Sequence, residues 1–166
     1  MSLIVKRGRV PQTPHTEFYA KEGVLSLEEI HGSCGFSGAY ARKMHVRRYP
    51  TMQSSVPRAA GFDLRPVAPK ELPLQPFHIL TGRIPYAADA VRGRRCLLFG
   101  PNTSISVCKP VRSTPQNEFF RNGESHECFF VQEGRGVLAT EFGELRFRET
   151  QYLIIPKGTT YQVRLD

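Results

Sequence analysis

Between Glu127 and Asp166 the sequence is cut into short apolar or alternating runs by turn residues at intervals of roughly 8 to 12 residues, a spacing that suits strands and leaves little room for helices. Glu127 to Gln132 is an apolar run that ends at Glu133-Gly134-Arg135-Gly136, and Val137 to Phe142 carries the chain back to Gly143, which reads as a hairpin. Leu145 and Phe147 alternate with Glu144, Arg146 and Arg148, the period of two that marks a half-buried strand. Tyr152 to Ile155 follows, then a Pro156-Lys157-Gly158 turn, and Tyr161, Val163 and Leu165 alternate again with Gln162 and Arg164. Upstream, Cys96 to Phe99 and Ile105 to Cys108 flank Gly100-Pro101-Asn102 as another strand, turn, strand unit. The 13 prolines and 14 glycines among 166 residues, with almost no sustained i, i+3, i+4 apolar pattern, argue against a helical protein. The expectation is a mostly β sandwich or small barrel.

The N-terminal half is less regular. Tyr40, Met44 and Val46 alternate with Ala41, Lys43, His45 and Arg47 as in a strand, while Leu25 to Ile30 fits a helical turn or a strand equally well. Residues 50–85 hold Pro57, Pro66, Pro69, Pro73 and Pro76 with few strand-like runs, so they read as an extended connection over a surface. The chain then divides into an N-terminal β arm (1–49), a Pro-rich connection (50–85) and a β barrel (86–166). The last strand reaches Asp166 with no closing segment, as expected of a polypeptide that was cut or that continues.

A chain of this length can bury a core without disulfide or metal staples. No apolar run approaches the ~20 residues of a membrane span, and Leu3-Ile4-Val5, followed at once by Lys6 and Arg7, is too short for a signal peptide, so the expected address is the cytoplasm. Cys34, Cys96, Cys108 and Cys128 form no C-x-x-C pair and are expected to be small buried hydrophobes without disulfides. The net charge of +8 raises nucleic acid as a partner. Its sources, Lys6-Arg7-Gly8-Arg9, Arg42-Lys43, Arg47-Arg48 and Arg92-Gly93-Arg94-Arg95, are scattered and lack interleaved aromatics, so a solvated basic surface and no nucleic-acid partner are expected.

Two clusters invite a chemical reading. Gly32-Ser33-Cys34-Gly35-Phe36-Ser37-Gly38 resembles a phosphate cradle, or a Cys34 nucleophile beside His31, but it precedes a strand where a phosphate loop needs a helix N-terminus. Glycines that permit a left-handed turn are the simpler account. His15, His31, His45, His78 and His126 are dispersed, with no pair at the spacing that places two imidazoles on one ion. In His126-Glu127-Cys128 a strand would point His126 and Cys128 to one face and Glu127 to the other, so the three cannot grip one metal.

Glu127 followed by six residues and Gly134 nevertheless resembles the tail of the first cupin motif, and Pro156-Lys157-Gly158 with Tyr161 resembles the second. Phe120, Arg121 and Asn122 stand where that motif's histidine pair belongs, and Tyr161 replaces its third histidine. One carboxylate without imidazole partners cannot hold Fe(II), Zn(II) or Mn(II) in the usual shell. The expectation is an intact cupin-type barrel, a double-stranded β-helix or jelly roll, with no metal ligands and no catalytic residues.

Longer stretches resemble the N-terminal portion of homogentisate 1,2-dioxygenase, in its bacterial-type or homogentisate-dioxygenase-like form: Pro14 to Ala20, Gly35 to Tyr40, Arg121 to Glu127, Phe130 to Gly143 and Tyr152 to Thr160. The resemblance implies an Fe(II) enzyme that opens the ring of homogentisate, a small aromatic acid, with O2 to give maleylacetoacetate in tyrosine and phenylalanine breakdown. It also implies a homo-oligomer, and an iron held by two histidines and a glutamate in a second, C-terminal cupin barrel that this chain lacks. No iron is therefore expected in these 166 residues, nor homogentisate turnover by them alone. Apolar surface left uncovered is expected to drive self-association. The alternative is a stand-alone, non-catalytic cupin-like module that binds a small molecule or a partner protein.

Overall fold

A computed structural model describes residues 19–32, 34, 35, 37–45 and 76–166. The chain divides into two units, 1–55 and 56–166. Among the described residues the structure is strand, turn and loop apart from a single turn of 3-10 helix, Thr81–Arg83. The chain is thus mostly β, as its turn spacing predicts.

In the first unit β1 (Tyr19–Lys21) and β2 (Val24–Leu25) form a hairpin around Gly23, whose φ of +70° explains the glycine there. Leu27 to Ile30 resolves as strand: β3 (Leu27–Gly32) pairs antiparallel with β4 (Tyr40–His45), from Leu27 opposite His45 to Gly32 opposite Tyr40. Val46, the last residue of the alternating pattern, lies outside the described residues. Gly35 and Gly38 in the connecting loop take left-handed φ values, which is the role of a turn glycine. Ser33 and Phe36 of that loop, with His15 and Lys6 to Arg9, are outside the described residues.

In the second unit β5 (Arg95–Phe99) and β6 (Ser104–Val107) make the expected hairpin across Gly100 to Asn102. Further on come β7 (Phe120–Arg121), β8 (Glu127–Phe130), β9 (Gly136–Thr140), β10 (Gly143–Phe147), β11 (Tyr152–Ile155) and β12 (Thr160–Leu165). They form a four-stranded sheet in the order β10-β9-β12-β7 and a separate ladder of β8 with β11. Among the described residues these sheets form no closed barrel. Residues 50–75 of the proline-rich connection are outside the described residues.

The expected hairpin of 127–132 with 137–142 does not form. β8 pairs with β11, Glu127 opposite Ile155 through Phe130 opposite Tyr152, and β9 pairs with β10 and β12. Turn residues after Gln132 permit a reversal but do not choose the partner; burial chooses it. Leu153 and Ile155 of β11, with Leu138, Phe147, Tyr161 and Val163 of the four-stranded sheet, share one core, and Phe129 of β8 packs against it. Gly136 has a reason of its own, since a Cβ there would lie 2.1 Å from the Arg164 carbonyl oxygen.

Burial also corrects several side-chain expectations. Leu145 is exposed although alternation puts it on the same strand face as buried Phe147, and Gln162 is buried although it alternates with Tyr161 and Val163. Gln162 Nε2 donates to the carbonyls of Pro115, Gln116 and Glu118 at 3.2, 2.9 and 2.7 Å, which satisfies a polar group taken out of water. The cysteines are not buried hydrophobes: Cys34, Cys96 and Cys128 are exposed and Cys108 half-buried, and none is in a disulfide.

Candidate functional site

The inner face of β8 turns one charged group into the core. Strand alternation sends Phe129 and Glu127 inward and leaves Cys128 exposed; His126, just before the strand, is exposed too. His126 Nδ1 accepts the Lys157 backbone N–H at 3.2 Å, away from Glu127's partners. A buried carboxylate needs donors and a counter-charge, and two distant residues provide them.

Tyr161 on β12 is 1% exposed, and its hydroxyl donates to Glu127 Oε2 at 2.6 Å. Arg94 donates from Nη1 to Glu127 Oε1 and from Nη2 to the Tyr161 hydroxyl oxygen at 2.6 Å, closing a ring of three side chains. Its Nε donates to the Ala90 carbonyl at 3.1 Å. The rings of Phe120 and Phe129 have their centroids 5.2 and 5.0 Å from Arg94 Cζ, within range of a cation–π contact. The same two rings meet Tyr161 edge to face at 5.6 and 6.1 Å. The side chains of Arg94 and Glu127 are 14% and 9% exposed.

The charge states follow. Burial works against the Arg94 guanidinium, yet the surrounding oxygens of Tyr161 and Glu127 more than offset it and hold its proton affinity above the ordinary arginine range. Burial, reinforced by Glu127 and opposed by Arg94, lifts the Tyr161 hydroxyl far above the tyrosine range, so it remains a neutral donor.

Arg94 is aimed by the turn before it. Asp89, fully buried, accepts the backbone N–H groups of Val91 and Arg92 on Oδ1 at 2.9 and 3.0 Å and Arg92 Nη1 on Oδ2 at 2.8 Å. Its carbonyl accepts the Gly93 N–H at 2.8 Å. A Cβ at Gly93 would sit 2.4 Å from the Ala87 carbonyl oxygen, so only glycine allows the chain to fold this tightly. The Arg92 to Arg95 cluster is therefore not a uniformly solvated basic surface. Arg94 points inward, Arg92 is tied to Asp89 and Glu118, and Arg95 is exposed.

Of the positions singled out in the sequence, Glu127, Tyr161 and Phe120 come together. Arg121 is exposed and donates from Nε to Thr160 Oγ1 at 2.7 Å, while the Asn122 side chain accepts the Glu124 and Ser125 N–H groups at 3.0 Å. His45 meets Glu29 at 2.8 Å in the first unit, beside Lys43 at 3.1 Å. Asp89 carries no motif, and Arg94 stands out in the sequence only as one member of a basic cluster read as solvated surface. The one available signal was the unpartnered Glu127, which demands a cation without naming it.

These residues do not fit a transition metal. Both Glu127 oxygens are engaged by Arg94 and Tyr161, and among the described residues no three His, Cys, Asp or Glu side chains converge on a common point. No described helix is long and apolar enough to cross a membrane.

One curated relative speaks to function. The chain is 30% identical over 157 residues to "Putative dioxygenase SSO1533" of Saccharolobus solfataricus. The similarity is to a dioxygenase-like protein. It takes in 94% of this chain but 39% of the length of that relative, so the chain spans well under half of the protein it matches. No family model matches, and no solved structure matches.

Proposed function

We propose that this chain is the metal-free part of a ring-cleaving dioxygenase, a cupin-like jelly roll that supports an iron centre built from residues other than these. The similarity to the Saccharolobus protein across nearly the whole chain carries the oxygenase reading. The Glu127, Tyr161 and Arg94 ring supports the metal-free part of it, because the carboxylate at the cupin-motif position, Glu127, is already satisfied. Under this reading residues 1–49 form an N-terminal β arm, 50–85 an extended connection and 86–166 the barrel-type domain. The reaction proposed for the whole enzyme joins homogentisate and O2 to give maleylacetoacetate, with Fe(II) supplying the activation of oxygen, in a cytoplasmic homo-oligomer. The residues of this chain hold shape and subunit contacts and move no proton of the substrate.

Oxygen uptake with homogentisate tests the reading, measured on the protein isolated from its own cells with Fe(II) supplied and, beside it, on the 166-residue chain alone. Uptake is expected in the first and neither uptake nor stoichiometric iron in the second. One tightly held iron in the 166-residue chain overturns the scaffold assignment. Failure of the native protein to consume oxygen with homogentisate or related ring-hydroxylated acids overturns the dioxygenase assignment.

A further inference from the structure

A carboxylate this far from water must meet positive charge, and in a metal-binding cupin frame that charge is the ion. Here it comes from the chain itself. The guanidinium of Arg94 is engaged by Glu127, by the Tyr161 hydroxyl at 2.6 Å and by the Ala90 carbonyl at 3.1 Å, and it lies over the rings of Phe120 and Phe129. A planar, delocalised and weakly hydrated cation suits such surroundings: its fork matches a carboxylate and its faces suit aromatic rings. A divalent ion suits them poorly. It would be offered one carboxylate, a neutral phenol and two hydrocarbon rings in place of imidazoles.

We propose that Arg94 is the resident cation of this pocket, standing in the place of a metal, and that the pocket is a guanidinium site which refuses divalent ions and accepts a small guanidinium from solution when the Arg94 side chain is removed. The comparison with a metal centre rests on the cupin-like reading above; the guanidinium geometry stands without it.

Thermal melts of the full chain test the proposal. Arg94→Ala is expected to lower the melting temperature by more than about 10 °C, because it strands a buried charge. Millimolar methylguanidinium is expected to recover at least half of that loss, ethylammonium to recover little, and wild type to respond to neither. Adding Glu127→Gln to Arg94→Ala is expected to abolish the rescue. Should Arg94→Ala not fold, the neutral pair Arg94→Met with Glu127→Gln is expected to fold and to melt above Arg94→Met alone, since no charge is then left without a partner. Equilibrium dialysis of wild type against Zn(II), Mn(II) and anaerobic Fe(II) is expected to show no ion whose binding Glu127→Gln abolishes. An ion bound at one per chain and lost in Glu127→Gln overturns the proposal. So does a folded Arg94→Ala that methylguanidinium leaves unchanged, or a neutral pair no more stable than Arg94→Met. None of these measurements reads oxygen consumption, so failure of the dioxygenase reading would leave the guanidinium result standing.

Discussion

Asp89 shows how a single side chain fixes the aim of another. Its carboxylate is fully buried, and burial alone would raise its affinity for a proton. The N–H groups of Arg92 and Val91 and the Arg92 guanidinium outweigh that penalty and hold Asp89 below the ordinary aspartate range. A carboxylate whose folded-state value is depressed contributes stability above its unfolded value and loses it as the pH falls through the folded one. Asp89→Ala is expected to cost about 3 kcal/mol at pH 7, chiefly because two backbone N–H groups lose their acceptor in a buried turn. Urea denaturation at pH 7 and at pH 3 checks the sign: the gap between wild type and variant should narrow in acid. A gap that widens there would show that Asp89 is not held ionised by this turn. Asp89 and Arg94 escape pattern reading because neither their type nor their spacing differs from that of surface residues. Their roles arise from a turn that Gly93 alone permits.

The strands themselves were legible at the level of elements. Period-two alternation and turn residues located β5, β6 and β9 to β12 closely, because those signals are local. Pairing was not, and the hairpin read across Gly134 dissolved because the choice of partner depends on which faces can be buried together. Gln162 is the clearest case of context overriding alternation. Its strand position reads as outward, yet residues 115–118 cover it and supply three carbonyls. Gln162→Ala is expected to free that segment at a cost of about 2 kcal/mol. Hydrogen–deuterium exchange should become faster in the peptide holding the Glu118 N–H, which bonds the Pro115 carbonyl at 2.9 Å, and stay unchanged in β5 and β6. Unchanged exchange at Glu118 would mean that Gln162 fills space without anchoring the segment.

For the whole molecule, a formal charge of +8 invites an expectation of polyanion binding that the ion pairs weaken. Arg42 pairs with Glu28, Arg92 with Asp89 and Glu118, Arg94 with Glu127, and Arg164 with Glu144 at 2.8 Å. Arginines held by carboxylates have less to offer phosphates, which bind through clustered free cations and release counterions as they do so. Mobility shifts with duplex DNA and with RNA at physiological salt are expected to show no complex. Binding that appears there and weakens steeply as salt rises would reverse that expectation. The sequence alone settled the predominance of strands and a glutamate on the strand face opposite His126 and Cys128, without the histidine pair of the cupin motif, because turn chemistry, alternation and residue identity are written locally. Tertiary structure alone decided that β8 joins β11, that Gln162 is buried and that Arg94 supplies the charge Glu127 requires. The partners lie 22 to 28 residues apart along the chain in β8 with β11 and 33 apart in Arg94 with Glu127, and only the competition to bury apolar surface while leaving no charge alone brings them into contact.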